Sequence, residues 1–157
     1  MNVSAPLNLK DQKPVLQVEN LAVSFKVEGG SVDAVKNVNF VLRRGETIAI
    51  VGESGSGKSV TARAVMRLLS KRASLGANSR ITMDGEDIAK LSENQMRKLR
   101  GDKVSMIFQE PMSSLNPVYT IATQICEVLH LHQKISKADA MKKARELLEE
   151  VQIPDPE

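Results

Sequence analysis

A chain of 157 residues suffices for one domain with a genuine core but is short for a nucleotide-driven machine. It is 41% hydrophobic and 26% charged, and its net charge of +3 comes from basic and acidic residues spread along the chain, so nothing argues for nucleic acid or a bare membrane surface. One cysteine, Cys126, excludes an internal disulfide and suits a reducing compartment, and no apolar run forms a signal peptide or reaches the roughly 18 residues of a membrane span. These features predict a cytosolic chain, or one held at a membrane through a partner.

Residues 1–14 are polar and proline-bearing, which predicts a disordered tail. Leu16 and Val18, then Leu21, Val23 and Phe25, alternate as a strand does, with a slip at Glu19-Asn20 that predicts a turn or bulge. Gly29-Gly30 breaks the chain. A short strand over Val32 to Val35 and a better one through Val38, Phe40 and Leu42 follow, and Arg43 to Glu46 reads as a turn. This front part is expected to form a small antiparallel sheet laid over the strand that follows.

That next strand, Thr47 to Val51, is wholly apolar apart from its threonine and reads as fully buried. A helix is expected from Val60 to Leu69, and the polar stretch Ser70 to Arg80 reads as irregular. Ile81 to Met83 with Asp84-Gly85 predicts a strand and turn. Ser92 and Gln95 have the spacing of a capping box, predicting a short helix to about Arg100. Val104 to Phe108 reads as a buried parallel strand. Ile121, Ile125, Val128 and Leu129 share one helical face, as do Ala140, Ala144, Leu147, Leu148 and Val151. Ser136 is placed to cap the second of these helices, and Pro154 and Pro156 to stop it.

Between the strand at 47–51 and the helix after it lies Gly52-Glu53-Ser54-Gly55-Ser56-Gly57-Lys58-Ser59, which fits the pattern G-x-x-x-x-G-K-[ST] at every fixed position. The glycines open backbone conformations closed to other residues and let the chain approach a ligand. Consecutive N–H groups then point inward, and the helix adds the positive end of its dipole. Lys58 supplies a cation for terminal phosphates, and Ser59 offers a hydroxyl to Mg²⁺, which keeps most of its waters. The competing reading is a Gly/Ser-rich strand-to-helix turn that binds nothing.

Two stretches carry a resemblance. Ala49 through Ser59 and Ile107-Phe108-Gln109-Glu110-Pro111-Met112-Ser113-Ser114-Leu115-Asn116-Pro117 resemble ABC-transporter ATPases, closest in wording to the ATP-binding subunits of bacterial dipeptide, oligopeptide and glutathione importers. The resemblance runs from Leu16 to Pro154. It implies an α/β P-loop NTPase of ABC type with an N-terminal antiparallel β subdomain. Residues 15–157 would then be the N-terminal part of that domain: β subdomain, phosphate loop, Q-loop and the start of the helical subdomain.

Roles follow from the resemblance residue by residue. Gly52, Glu53, Ser54, Gly55, Ser56, Gly57, Lys58, Ser59 and Val60 would hold the phosphates of ATP. Phe25 matches the aromatic that stacks on adenine; without the resemblance it reads as a core residue. Gln109 matches the Q-loop glutamine that reaches Mg²⁺, with Ser59, and positions the attacking water; alone it would be an ordinary amide. The Pro111–Pro117 region matches the surface that meets the membrane subunits, with a proline-rich connector as the plain alternative. A second ATPase subunit or half and, indirectly, a periplasmic solute-binding protein are the other implied partners. The implied place is the cytoplasmic face of the bacterial inner membrane. His130 and His132 match no catalytic histidine and read as surface or capping residues, and Cys126 as a small apolar residue.

Family members continue with a Leu-Ser-Gly-Gly signature, an apolar strand ending in Asp-Glu and a switch histidine, none of which occurs here. The chain is therefore expected to be the N-terminal part of such an ATPase, with an unpaired apolar edge at Thr47 to Val51. A cradle without the Asp-Glu carboxylates should bind nucleotide far better than it hydrolyses it. Two readings stand: the ATPase component of a peptide importer, or a catalytically inactive nucleotide-binding fragment. A small-molecule kinase or GTPase is disfavoured, since the chain has neither a lid-like arginine cluster nor an Asn-Lys-x-Asp stretch, and Gln109 to Pro117 would go unexplained.

Overall fold

The computed structural model describes residues 12–109, 115–133 and 135–155. The tail predicted over 1–14 lies almost wholly outside them, as do Pro111 to Ser114 of the predicted membrane-subunit surface and Pro156. The chain forms two compact units, Met1–Met96 and Arg97–Glu157.

The first unit is built on two long antiparallel strands, β1 (Pro14–Val27) and β2 (Gly30–Arg43), joined by a tight turn in which Gly29 takes φ +86°. The predicted slip at Glu19-Asn20 is a bulge. Register moves from Val18↔Phe40 to Leu21↔Val38, and Asn20, at φ 49°, donates its N–H to Asn39 Oδ1 at 2.7 Å. The extra residue has a purpose in packing. It brings Val18, Leu21 and Val23, spaced by three and then two, to the same buried side. The two strands predicted over 32–42 are one strand, bent at Asn37 with φ 50°.

On its other edge β1 pairs with β4 (Arg80–Met83) through Leu16↔Met83 to Glu19↔Arg80, and further along with β3 (Ala73–Leu75) through Val23↔Leu75 to Phe25↔Ala73. β3 falls in the stretch expected to be irregular; Ala-Ser-Leu is too short to show alternation. The Asp84-Gly85 turn, with φ 47° and 90°, returns the chain to β5 (Glu86–Asp87), as the sequence predicts. Ser79 ties the sheet to the bulge: its Oγ accepts from Ala22 N at 3.0 Å and donates to Asn20 O at 3.2 Å.

Helix α1 (Lys58–Val65) stops earlier than Leu69 because Arg67 enters the left-handed region at φ 51°. The Arg67 guanidinium donates to the carbonyl oxygens of Ile88, at 3.3 Å, and of Leu91. Ala64, Val65 and Met66 of this segment join Val18, Leu21, Val23, Val35, Ile81, Met83, Ile88 and Met96 as the buried apolar residues of the unit. Helix α2 (Glu93–Leu99) begins on the predicted capping box. Gln95 Oε1 accepts from Ser92 N at 2.9 Å, and Ser92 Oγ accepts from Gln95 N at 3.4 Å.

In the second unit, α3 (Ile121–Gln133) and α4 (Lys137–Glu150) pack through Cys126, Leu129, Ala140 and Ala144, flanked by Ile125 and Ile135. Ser136 caps α4 as predicted, its Oγ accepting from Asp139 N at 3.1 Å. The predicted α3 face is partly wrong: Ile121 and Val128 are exposed, and Cys126 takes the buried place beside Leu129.

Two predicted strands are absent. Thr47 to Val51 and Val104 to Phe108 have no ladder among the described residues, save one bridge between Arg100 and Val104. Ile48, Ile50, Val51, Ile107 and Phe108 face solvent, Val51 at 88% and Ile107 at 98%, while Val104 and Met106 are half-buried. A parallel strand is buried only when strands flank it and helices cover it, so an apolar run without neighbours stays open. Thr47 to Val51 is thus an exposed apolar segment rather than the unpaired sheet edge anticipated there.

Candidate functional site: the phosphate loop

Residues 52–57 form a turn that leads directly into α1. Ser56 N donates to Glu53 O at 3.2 Å, closing the turn, with Ser54 and Gly55 at its exposed tip. Gly55 adopts φ +82° and Gly57 φ +90°, conformations in which an L side chain is strained. Gly52 is favoured for a different reason. A Cβ there would stand 2.6 Å from Ser56 Oγ and fill the inside of the turn.

Lys58 folds back across the loop. Its Nζ donates to Gly52 O and Glu53 O, both at 2.7 Å, and to Ser56 Oγ at 3.3 Å. The ammonium is held by two carbonyl oxygens and one hydroxyl, with no carboxylate partner among the described contacts. A bound polyphosphate could therefore use the positive charge in full. Gly57 is the N-cap of α1 and offers no side-chain acceptor to the helix, whose first turn has no acidic residue. The first-turn N–H groups and the positive end of the helix dipole remain for an anion. Open glycine backbone, a helix start without an acidic residue and one lysine fit a polyphosphate.

The other predicted residues are distributed as follows. Ser59, in the first turn of α1, is exposed, and Val60 is half-buried. Phe25 lies in the same unit as the loop, half-buried on β1 and paired with Val32 on one side and Ala73 on the other. Gln109 is exposed and belongs to the second unit. His130 Nδ1 lies 3.1 Å from Ile135 O in the connection between α3 and α4, and His132 packs over Gly101. Among the described residues no group of three or more His, Cys, Asp or Glu could hold a metal ion. Likewise, no helix is long and apolar enough to cross a membrane.

One contact escaped sequence reasoning. The last glycine of the loop rests against β2: a Cβ on Gly57 would stand 2.5 Å from Ala34 O and 3.2 Å from Val35 Cγ2. The strand alternation shows Val35 as an apolar strand residue, but nothing local reveals that the loop lands on it.

Comparison with known proteins agrees with this geometry. The family described as ABC transporter matches residues 35–157. The oligopeptide transport ATP-binding protein OppD of Bacillus subtilis is 52% identical over 143 residues, covering 91% of this chain and 40% of that protein. The glutathione import ATP-binding protein GsiA of Salmonella choleraesuis is 49% identical over 153 residues, covering 92% of this chain and 24% of that protein. The chain thus spans well under half the length of these relatives. Among solved structures, the dimeric post-hydrolysis state of the ATP-binding cassette MJ0796, bound to ADP and Pi, superposes with a TM-score of 0.76 at 25% identity, over 89% of this chain and 58% of that one. A fold with an antiparallel sheet beside a phosphate loop, a matching family over most of the chain and relatives near half identity agree: the chain belongs to the ABC transporter family of ATP-binding proteins.

Proposed function

We propose that this chain binds ATP as part of the ATPase subunit that powers import of peptides, of dipeptide, oligopeptide or glutathione type, across the bacterial inner membrane. The observation that carries the reading is the placement of Lys58, whose ammonium closes the Gly52–Ser59 cradle without a counter-charge. In this reading Gly52 to Val60 hold the polyphosphate, Phe25 stacks on the base, and Ser59 and Gln109 contribute oxygens to Mg²⁺. The bound cation would offset phosphate charge as it develops. The Pro111–Pro117 region meets membrane subunits at the cytoplasmic face, a second ATPase subunit completes the site, and a periplasmic solute-binding protein acts indirectly. The relatives named for oligopeptide transport and glutathione import support the solute class. Calorimetric titration of the chain with ATP and Mg²⁺ tests the reading. Saturable binding that Lys58→Ala weakens strongly is expected, and equal heats from both proteins would refute it.

A second reading is favoured by one observation, the solvent-facing Ile48, Ile50 and Val51 on the segment that feeds the loop. Here the 157 residues by themselves bind nucleotide without turning it over. Positioning is the larger part of phosphoryl-transfer catalysis, and an unpaired segment positions poorly. Phosphate release no faster than that of Lys58→Ala is the expected result; magnesium-dependent release well above that control would reject it.

A further inference from the structure

The contact between Gly57 and β2 joins two parts of the proposed nucleotide site. Phe25 faces Val32 across the β1–β2 ladder, and two and three residues further along the same strand Ala34 and Val35 carry Gly57. Val35 pairs with Val23, two residues from Phe25, with Ala34 as the extra residue of a bulge between them, so the two points lie about 7 Å apart along the ladder, within the reach of a nucleoside triphosphate. Val35 is 4% exposed and faces Val23 across the ladder, so its burial and its pairing with β1 fix its place in the sheet. By contrast, the cradle is held internally, by Lys58 to Gly52 and Glu53 and by Ser56 to Glu53. The loop's shape and the loop's position therefore have separate causes.

We propose that Val35 is a positioning residue for nucleotide. Together with the Ala34 carbonyl it sets where the phosphate loop stands relative to Phe25, so that one ligand spans both. This rests on the reading of Phe25 and the loop as the two ends of an ATP site. Altering Val35 shifts the cradle along or away from β2 without dismantling it. Binding of a ligand that touches only the cradle survives, and binding of one that must also reach Phe25 falls.

The test titrates the 157-residue chain and its variants with two probes, ATP and inorganic tripolyphosphate, with circular dichroism confirming the fold of each variant. Val35→Ala is expected to weaken ATP on the order of tenfold, the scale of one base–aromatic stack, and to change tripolyphosphate by less than about twofold. In a Phe25→Ala background the same substitution is expected to cost ATP nothing further, because the lost reach is already lost. Equal losses for both probes, or additive losses in the double variant, overturn the inference. Where Val35→Ala does not fold, Val35→Ile, which keeps the core filled and adds a methylene beside Gly57, carries the same comparison. If the parent chain binds tripolyphosphate but not ATP, the base-site reading fails and this inference falls with it. If ATP binds and responds to Phe25→Ala but not selectively to Val35, only the inference fails.

Discussion

Lys58 Nζ lies 2.7 Å from the carbonyl oxygen of Gly52, so the last charged residue of the loop is clasped by its first glycine. The side chain is only half-buried, and its partners are backbone oxygens that water can replace. Lys58→Ala should therefore cost the fold little and the ligand much. Losing one charge-assisted contact to phosphate costs about 1.5–3 kcal/mol, or roughly 10- to 150-fold in nucleotide affinity. Fluorescence titration with a labelled ATP checks this alongside a melting curve that should move little.

Gly57→Ala should be far more damaging than Gly55→Ala, although both residues have positive φ. Gly55 has open space around it, so alanine there pays only the left-handed strain of about 1–2 kcal/mol. At Gly57 the added Cβ also meets the Ala34 carbonyl at 2.5 Å, a backbone atom that cannot swing aside. Urea unfolding of the two variants ranks them, and equal midpoints would contradict the contact.

Gly101 offers a similar comparison with a softer neighbour. Its φ is +90°, and a Cβ would stand 2.6 Å from His132 Nε2. Gly101→Ala is expected to destabilise the second unit, and adding His132→Ala should return the steric part while leaving about 1–2 kcal/mol of backbone strain. A double-mutant cycle by thermal unfolding measures the coupling. No recovery would mean that the imidazole already moves freely.

Ser79→Ala removes the acceptor that satisfies Ala22 N–H beside the β1 bulge. A part-buried amide left without its partner costs about 1–3 kcal/mol. The change should appear as faster hydrogen exchange at Ala22 and its neighbours, with nucleotide affinity unchanged. Exchange rates like those of the parent would show that Ser79 is dispensable there.

The exposed segment Thr47 to Val51 predicts concentration-dependent association of the chain. It joins β-branched, uncharged residues with an unpaired backbone, the composition that pairs edge to edge. Val51→Lys, at a position 88% exposed, should suppress association without lowering the melting temperature. Light scattering across a dilution series decides the matter.

The front sheet and the cradle were the most legible parts of this chain, because local chemistry dictates them. The one-residue slip at Asn20, the Asp84-Gly85 turn and the Ser92–Gln95 box each depend on neighbours a few residues away. Thr47 to Val51 and Val104 to Phe108 misled for the opposite reason. An apolar run states what a segment needs, while whether it becomes a strand depends on pairing partners elsewhere in the chain. The Gly57–Val35 contact was hidden likewise, since it joins residues of two different elements. Arg67 shows a third kind of miss: the periodicity ran on to Leu69, but a left-handed residue ended the helix first.

The order in which β1 finds its partners carries a consequence for synthesis of the protein on the ribosome. β1 and β2 are adjacent in the chain, but the strands on the other edge of β1 are Ala73–Leu75 and Arg80–Met83, and the phosphate loop lies between. At about 5–20 residues per second the nascent hairpin waits for several seconds with that edge bare. The cradle emerges during the wait. A nucleotide at cellular concentration could meet the loop before the sheet is complete, so that the ligand takes part in assembly as well as in the finished site.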